Sequence, residues 1–537
     1  MDVQTDPELP LFCDTETCGF YGKISLLQLM QKGWDEPVLI RWPDPHELAM
    51  FIGQHHTVWH NAHYDITTIQ QQTGTRWIPN RLDCTFLLSR IALPRNAAFS
   101  LDAVLETLLG YDPYIRAGLD KKKLQKTDWS AEILTPEQLQ YASIDVQHMP
   151  ALWELVNQES PSYSLDMHVL RKCLDFQWNG MPVDQQRIAE MTVANTARIE
   201  EIGVKINVNS WQQVRAHLGS TESDDLALAA MIADGNTEAA KIRETKKLKK
   251  QLSFLKKYDK PRVLGKFKPS AKSGRLTSSD DNLQQIPRAL KRVFGYTPDN
   301  GRVLVFSDYA QLELRTICAI VNCELMAELF REGADLHGFV AKMIFGDDWT
   351  PEHRQITKTY NFNLLYGGGV DMIISILLKS VGTQAKRADT QRAKARWLSL
   401  WREIAAWQQR GIAAWRKGRL GHTPLGRPYT GKLMTDQLNI ENQGAGAEVA
   451  KLALHYLNLP EDVQLVNFIH DSYILDCPSD PAIYEPVAKQ LADTMQEAWT
   501  EMSKCFQISD LPMPVEVRVG YNWGGIEKGD FLYSITV

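Results

Sequence analysis

Four carboxylates and one phenol in the first 150 residues have types and spacing that could do chemistry. Leu11-Phe12-Cys13 runs into Asp14-Thr15-Glu16-Thr17, so Asp14 and Glu16, two apart where a strand ends, share a face. His60-Asn61-Ala62-His63-Tyr64-Asp65 follows a short apolar run at Thr57 to Trp59. Tyr141-Ala142-Ser143-Ile144-Asp145 lies in a helical stretch whose start is marked by Thr135 as N-cap, Pro136 in the first turn and Gln138 as capping-box partner. Tyr141 and Asp145 are then i, i+4 neighbours on one helical face. Four acids at one site would ligate two Mg²⁺ ions about 4 Å apart, which activate a water and neutralise the charge that develops as a phosphodiester is hydrolysed. A tyrosine hydroxyl would orient that water. Each fragment alone is only a polar strand end or helix face; the three in this order are far more specific. His60 and His63 invite a zinc reading, but no cysteine or third histidine has suitable spacing.

A second set lies beyond residue 300. Val303 to Ser307 is an apolar run that delivers Asp308. Val463 to Ile469 and Tyr473 to Cys477 flank His470-Asp471-Ser472, which predicts a β-hairpin with Asp471 at its turn. A carboxylate at a buried strand end is costly unless paired or metal-bound. Between them, Thr350-Pro351 starts a helix on which Arg354, Lys358, Phe362 and Tyr366 recur every four residues, before Gly367-Gly368-Gly369 ends it. Such a series drifts by about 40° per step on a 3.6-residue helix, so the four share one slowly turning stripe. Two cations followed by two aromatics form a face that could grip a triphosphate and stack on a base.

The elements that must position these residues are legible in outline. At 537 residues the chain is long enough for about three or four domains. The first 155 residues read as α/β, with strands at Leu9 to Cys13, Ile24 to Met30, Val38 to Trp42 and Thr57 to Trp59, and helices at Ile66 to Gln72 and Thr135 to Val156. Residues 165–265 read as mostly helical, with a break at Gly219 to Asp224. Net charge is −6, yet fourteen Lys or Arg stand between Lys241 and Arg275 against only Glu244 and Asp259. They include Lys246, Lys247, Lys249 and Lys250, and a second basic region runs from Lys386 to Arg419. Charge distribution, more than its total, governs nucleic-acid binding. The acidic start is followed by no apolar run, so no leader or membrane span is expected and a cytoplasmic location is. The eight scattered cysteines, none in a C-x-x-C pair, are expected to be buried free thiols in a reducing compartment.

The first set of motifs resembles the D-E-D-D exonucleases of the tyrosine-bearing class, and in particular the proofreading domain of DNA polymerase I-type enzymes. Asp308-Tyr309-Ala310-Gln311-Leu312-Glu313-Leu314-Arg315 resembles motif A of family A DNA polymerases, the Arg354 to Gly367 helix resembles motif B, and His470-Asp471-Ser472 resembles motif C. Ser273 to Pro287 is similar to the family's primer-template segment, and Asn439-(x3)-Gln443-Gly444 to another duplex-contact motif. The resemblance implies an α/β and α+β multidomain chain: a ribonuclease H-like 3′-5′ exonuclease at 1–155, then a right-hand polymerase. Within the latter, 156–300 would be mainly thumb with the start of the palm, 301–345 palm, 346–435 fingers and 436–537 palm again.

It also implies roles. Asp14, Glu16, Asp65 and Asp145 would hold one metal pair, with Tyr141 positioning water. Asp308, Asp471 and the main-chain carbonyl of Tyr309 would hold another, with Mn²⁺ a possible substitute for Mg²⁺. Arg354, Lys358, Phe362, Tyr366, Gln311, Tyr309 and Glu313 would form the dNTP site, Glu313 blocking a ribose 2′-hydroxyl. Arg275, Asn282, Gln284, Asn439, Gln443, His470 and the lysines at 246, 247, 249 and 250 would hold primer-template DNA. The implied partners are that duplex, dNTPs and a single-stranded 3′ end, for a monomer without a membrane and with no processivity partner identified. Two positions depart from the pattern: Ser472 where the family has glutamate, and Asn363 in place of a common glycine. No 5′-nuclease domain is expected before the exonuclease and no large insertion in the thumb, an economy similar to phage enzymes. A single-subunit RNA polymerase is the rival reading, opposed by Glu313 and the exonuclease set; a non-catalytic DNA-binding scaffold is opposed by the complete set of aspartates.

Overall fold

The computed structural model describes residues 3–380, 382 and 384–537, without the side chain of residue 380. The chain divides into two units. The first contains residues 1–178 together with two later returns of the chain, 267–277 and 425–430. The second contains 179–266, 278–424 and 431–537.

The first unit is built on a five-stranded sheet of β1 (Leu11–Thr17), β2 (Ile24–Gln31), β3 (Val38–Arg41), β4 (His56–Trp59) and β5 (Arg81–Cys84), in the order β3-β2-β1-β4-β5. β1 pairs antiparallel with β2 and parallel with β4, so it is the central strand where the direction changes. β1 runs four residues past the expected end at Cys13, and Asp14 and Glu16 therefore stand within paired strand, not beyond it. Its inner face buries Leu11, Cys13 and Thr15 while Asp14 and Glu16 remain partly open. Helix α1 (His63–Thr73) puts Asp65 in its first turn. The helix expected over Thr135 to Val156 is two: α2 (Pro136–Gln147), with the Thr135/Gln138 capping box in place, and α3 (Met149–Val156). The break falls at His148 because Pro150 has no N–H to continue the ladder. The later returns pack into this unit. Phe267 meets Phe176 with ring centroids 4.9 Å apart, and Arg427 forms a buried ion pair with Asp166.

The second unit carries most of the helical stretch expected over 165–265, whose beginning lies in the helix Pro161–Phe176 of the first unit; it includes the 22-residue α4 (Thr237–Tyr258), which bears the lysine run. Its sheet is wholly antiparallel. β6 (Arg302–Tyr309) sits at the centre, flanked by the hairpin β7 (Gln464–Ile469) and β8 (Ser472–Pro478) on one side and by β9 (Val515–Gly520) and β10 (Tyr533–Thr536) on the other, in the order β7-β8-β6-β9-β10. The hairpin turn is two residues, His470 and Asp471, with His470 at φ +59°, as tight hairpins require at a central turn position. Three helices complete the surroundings of the strand ends: α5 (Leu312–Val321), α6 (Pro351–Leu365) and α7 (Met434–Tyr456). Among the described residues no helix is long and apolar enough to cross a membrane. Six cysteines are buried free thiols as expected, but Cys18 is half-buried and Cys505 exposed.

Candidate active sites

In the first unit a cleft of about 1150 Å³ is lined by Asp14, Glu16, Asp65, Tyr141 and Asp145 together. Carboxylate oxygens of Asp14, Glu16 and Asp145 lie within 4.8 Å of one another, close enough to share a cation. Asp65 stands beside them but accepts a hydrogen bond from the Thr15 hydroxyl at 2.7 Å. Burial, then the charges of Asp65, Asp145 and Glu16, hold the Asp14 carboxyl well above its ordinary range. Glu16 is raised in the same way, and burial pushes Asp65 up to about 7 and Asp145 up to about 6. Like charges crowded in a cleft of this kind call for a counter-cation. Asp145 Oδ2 is buried with no hydrogen-bond partner, an acceptor that a metal would satisfy. The residues therefore fit a divalent ion of the Mg²⁺ type, which binds through hard carboxylate oxygens. The Tyr141 hydroxyl, held protonated by burial and by Asp145, Glu16 and Asp14, keeps its proton for donation.

Two residues of this cleft went unread in the sequence. The fully buried Tyr114 donates to Asp145 Oδ1 at 2.5 Å. Lys121, held by Asp102 at 2.9 Å and lying 4.6 Å over the Tyr114 ring, is a cation that draws Asp14, Glu16 and Asp145 back toward ionisation. Their only sequence signals are short helix starts, Asp112-Pro113 and Asp120, which mark the turn without marking its use. The exposed ring of Phe20 stands at the rim, 5.6 Å from Tyr64. His60 is no metal ligand: its nitrogens lie 3.0 Å from the Thr85 hydroxyl and 3.0 Å from the Phe99 carbonyl, and burial lowers it to about 4.

In the second unit, β6 delivers Asp308 and the β7–β8 turn delivers Asp471. The pairing that sets Ser307 against Tyr473 brings Ser472 to Asp308, and the Ser472 hydroxyl donates to Asp308 Oδ1 at 2.8 Å. Burial raises Asp308 to about 6, with Glu516 and Glu527 adding to the rise and the Ser472 bond opposing it. The Tyr309 ring is buried and its hydroxyl donates to the Met495 carbonyl at 2.8 Å, so this side chain belongs to the core and only its main chain is left for a ligand. Gln311 caps α5 at φ +56°. On α6 the Arg354 guanidinium meets Asp335 at 2.6 and 3.0 Å, Lys358 is exposed, and Phe362 is half-buried beside His337. α6 ends at Leu365, one residue before Tyr366, whose hydroxyl donates to the Glu313 carboxylate.

The expected duplex contacts fall in both units. Asn282 caps the turn before Gln284, and Gln284 donates to the Phe468 carbonyl on β7 at 3.1 Å, which fixes this segment against the hairpin carrying His470 and Asp471. Asn439 and Gln443 are half-buried one turn apart on α7. Lys247, Lys249 and Lys250 are exposed on α4, whereas Lys246 donates to the Ser223 carbonyl at 3.2 Å. Arg275 belongs to the first unit.

A carboxylate cleft able to hold cations, followed in the same chain by a sheet with two aspartates at adjacent strand ends and a cationic helix, defines a class: a template-directed DNA polymerase that carries its own 3′-5′ exonuclease. The chain belongs to DNA polymerase family A, whose model matches residues 184–525, and a 3′-5′ exonuclease model matches residues 11–158. It is 28% identical to DNA polymerase I of Aquifex aeolicus over 96% of this chain and 95% of that one. It is 25% identical to DNA polymerase I of Pseudomonas aeruginosa over 89% of this chain and 57% of that one, and 30% identical to the thermostable DNA polymerase I of Thermus filiformis over 47% of this chain and 31% of that one. Among solved structures it is similar to the POL domain of Pol1 from M. smegmatis, determined in complex with DNA primer-template and dNTP. The TM-score is 0.72 over 97% of this chain and 96% of that one, at 17% identity. The exonuclease fold followed by palm, fingers and thumb is thus the architecture of this protein.

Proposed function

We propose that the two sites act in sequence on one DNA end: the second unit extends a primer from dNTPs on a template, and the first trims the same 3′ end when it is mispaired. The observation that carries the reading is the pairing of β6 with the β7–β8 hairpin, which sets Asp471 one residue from the serine bonded to Asp308. Asp308, Asp471 and the Tyr309 carbonyl would hold two Mg²⁺ ions, and Asp14, Glu16, Asp65 and Asp145 another two; Mn²⁺ would substitute. Bound there, the ions would lower the charge at the phosphate and make the attacking oxygen a better nucleophile. Arg354 and Lys358 would bind the triphosphate, with the phosphates displacing Asp335 from Arg354. Gln311 would contact the nucleotide, Phe362 and Tyr366 would wall its base and sugar, and Glu313 would exclude a 2′-hydroxyl. Arg275, Asn282, Gln284, Asn439, Gln443 and His470 would hold the duplex near the primer end, while the α4 lysines would grip phosphates further back. Contacts to phosphate position the duplex without reading sequence. In this reading 156–300 is mainly thumb with the start of the palm, 301–345 and 436–537 complete the palm, and 346–435 forms the fingers. The chain would work as a monomer in the cytoplasm.

A primer-extension assay with matched and mismatched 3′ ends tests the proposal. Asp471→Ala should lose extension and keep duplex binding and 3′-5′ degradation. Extension at the wild-type rate by that variant would refute the assignment.

A further inference from the structure

Glu313 and Tyr366 are held by a residue that no motif singled out. Asn442 lies on α7 between the half-buried Asn439 and Gln443, yet it is 0% exposed. Its Nδ2 donates to the Glu313 main-chain carbonyl at 2.8 Å and to the Tyr366 hydroxyl at 3.0 Å, and its Oδ1 accepts from the Thr316 hydroxyl at 2.6 Å. The polarity of this network is forced. A main-chain carbonyl only accepts, so the amide must turn its NH₂ toward Glu313, and Thr316 must then be the donor to Oδ1. One amide hydrogen remains for the Tyr366 oxygen, which leaves the tyrosine's own proton for the Glu313 carboxylate it touches.

Asn442 therefore grips Glu313 twice, directly at the backbone and through Tyr366 at the carboxylate. It also ties together three separate elements: α5, the end of α6, and α7. Ordinary helix-to-helix contact would need only the bonds to Thr316 and the Glu313 carbonyl; the second amide hydrogen goes to the hydroxyl that fixes the carboxylate. A glutamate side chain has several freely rotating bonds, and a barrier to a 2′-hydroxyl works only while the carboxylate stays in place. We propose that Asn442 is a positioning residue for sugar selection, which holds the Tyr366–Glu313 pair where it excludes a ribonucleotide. The proposal builds on the reading of Glu313 as the sugar barrier.

Single-nucleotide incorporation, with kcat and KM measured for a dNTP and the matching rNTP, is the test. Glu313→Ala, Asn442→Leu, Thr316→Val, Tyr366→Phe and the double variant Asn442→Leu/Tyr366→Phe are compared with the wild type. Asn442→Leu should raise relative rNTP use about tenfold, the worth of one buried hydrogen bond, with the change in KM more than in kcat. Thr316→Val, which frees the Oδ1 end along with the hydroxyl's contacts to the Leu312 and Glu313 carbonyls at 3.0 and 3.1 Å, should move it the same way by about threefold and carries the test if Asn442→Leu does not fold. In the Tyr366→Phe background, Asn442→Leu should add less than it does alone, because one of its two grips on Glu313 is already cut. If Glu313→Ala raises rNTP use but Asn442→Leu and Thr316→Val do not, the proposal is overturned while the barrier stands. If the effects of Asn442→Leu and Tyr366→Phe multiply in the double variant, the relay is overturned. An unchanged ratio in Glu313→Ala removes the barrier itself, and the proposal with it.

Discussion

At the scale of single residues the proposed polymerase site is marked as much by Ser472 as by its aspartates. The family pattern has glutamate there, and a glutamate would set another anion beside Asp308, Glu516 and Glu527. The serine instead donates to Asp308 Oδ1 at 2.8 Å and favours its ionised form. Mg²⁺ takes few protein carboxylates and keeps water and substrate phosphates as its other ligands, so two aspartates would be enough. Ser472→Glu should accordingly change single-turnover incorporation at saturating dNTP by less than about tenfold, roughly 1.4 kcal/mol in barrier. A gain of several hundredfold, measured across Mg²⁺ concentrations, would show that the natural site is impaired.

At the scale of elements, β1 carries two metal-binding candidates on one face because a strand alternates its side chains, and α2 carries two more candidates because a helix repeats about every four residues. Replacing both acids of β1, Asp14→Ala with Glu16→Ala, should abolish 3′-5′ degradation of single-stranded DNA and leave extension of a matched primer at the wild-type rate. Digestion persisting at its original rate would mean the wrong acids have been named. These elements were legible in the sequence because their signals are local: a capping box before Tyr141, an apolar run before Asp308, a proline start before Arg354. What stayed hidden was the product of tertiary approach. Nothing near Tyr114 or Lys121 announces that their loop closes over Asp145, and nothing near Asp335 announces its bond to Arg354. Asn442 reads as one more polar residue of a long helix. The helix expected over Thr135 to Val156 failed where periodicity continued through Pro150 and the backbone could not.

At the scale of the whole molecule, a metal bound in the first unit would compete with protons for its carboxylates. Asp145 is raised to about 6 and Asp65 to about 7, against an unfolded value of about 3.9. A carboxyl raised in the folded state contributes stability that is full below the unfolded value and is lost as pH rises through the folded one. In EDTA the melting temperature should therefore fall as pH rises from about 5 to about 8, through both of these values. With Mg²⁺ the fall should disappear, because metal binding requires the same carboxylates deprotonated. Equal pH slopes in EDTA and in Mg²⁺, by calorimetry, would count against a metal at this cluster. The Asp14→Ala, Glu16→Ala variant should show no Mg²⁺-dependent difference from this cleft.

The ion pair between Arg427 and Asp166 bears on how this protein could be taken apart. The two partners are 261 positions apart in the chain, yet both side chains are within the first unit, 2% and 0% exposed. A gene fragment ending at residue 178 would encode the whole exonuclease sheet and every acid of its cleft, but it would take the Arg427 guanidinium away from Asp166. Removing one member of a buried pair typically costs about 3–5 kcal/mol, a large share of the stability of a domain this size. Such a fragment should be aggregation-prone on expression; soluble yield equal to that of the whole chain would refute this. The exonuclease of this polymerase is then not a cassette to be transplanted by a single cut, since its completion waits on a segment that the ribosome makes long after the rest.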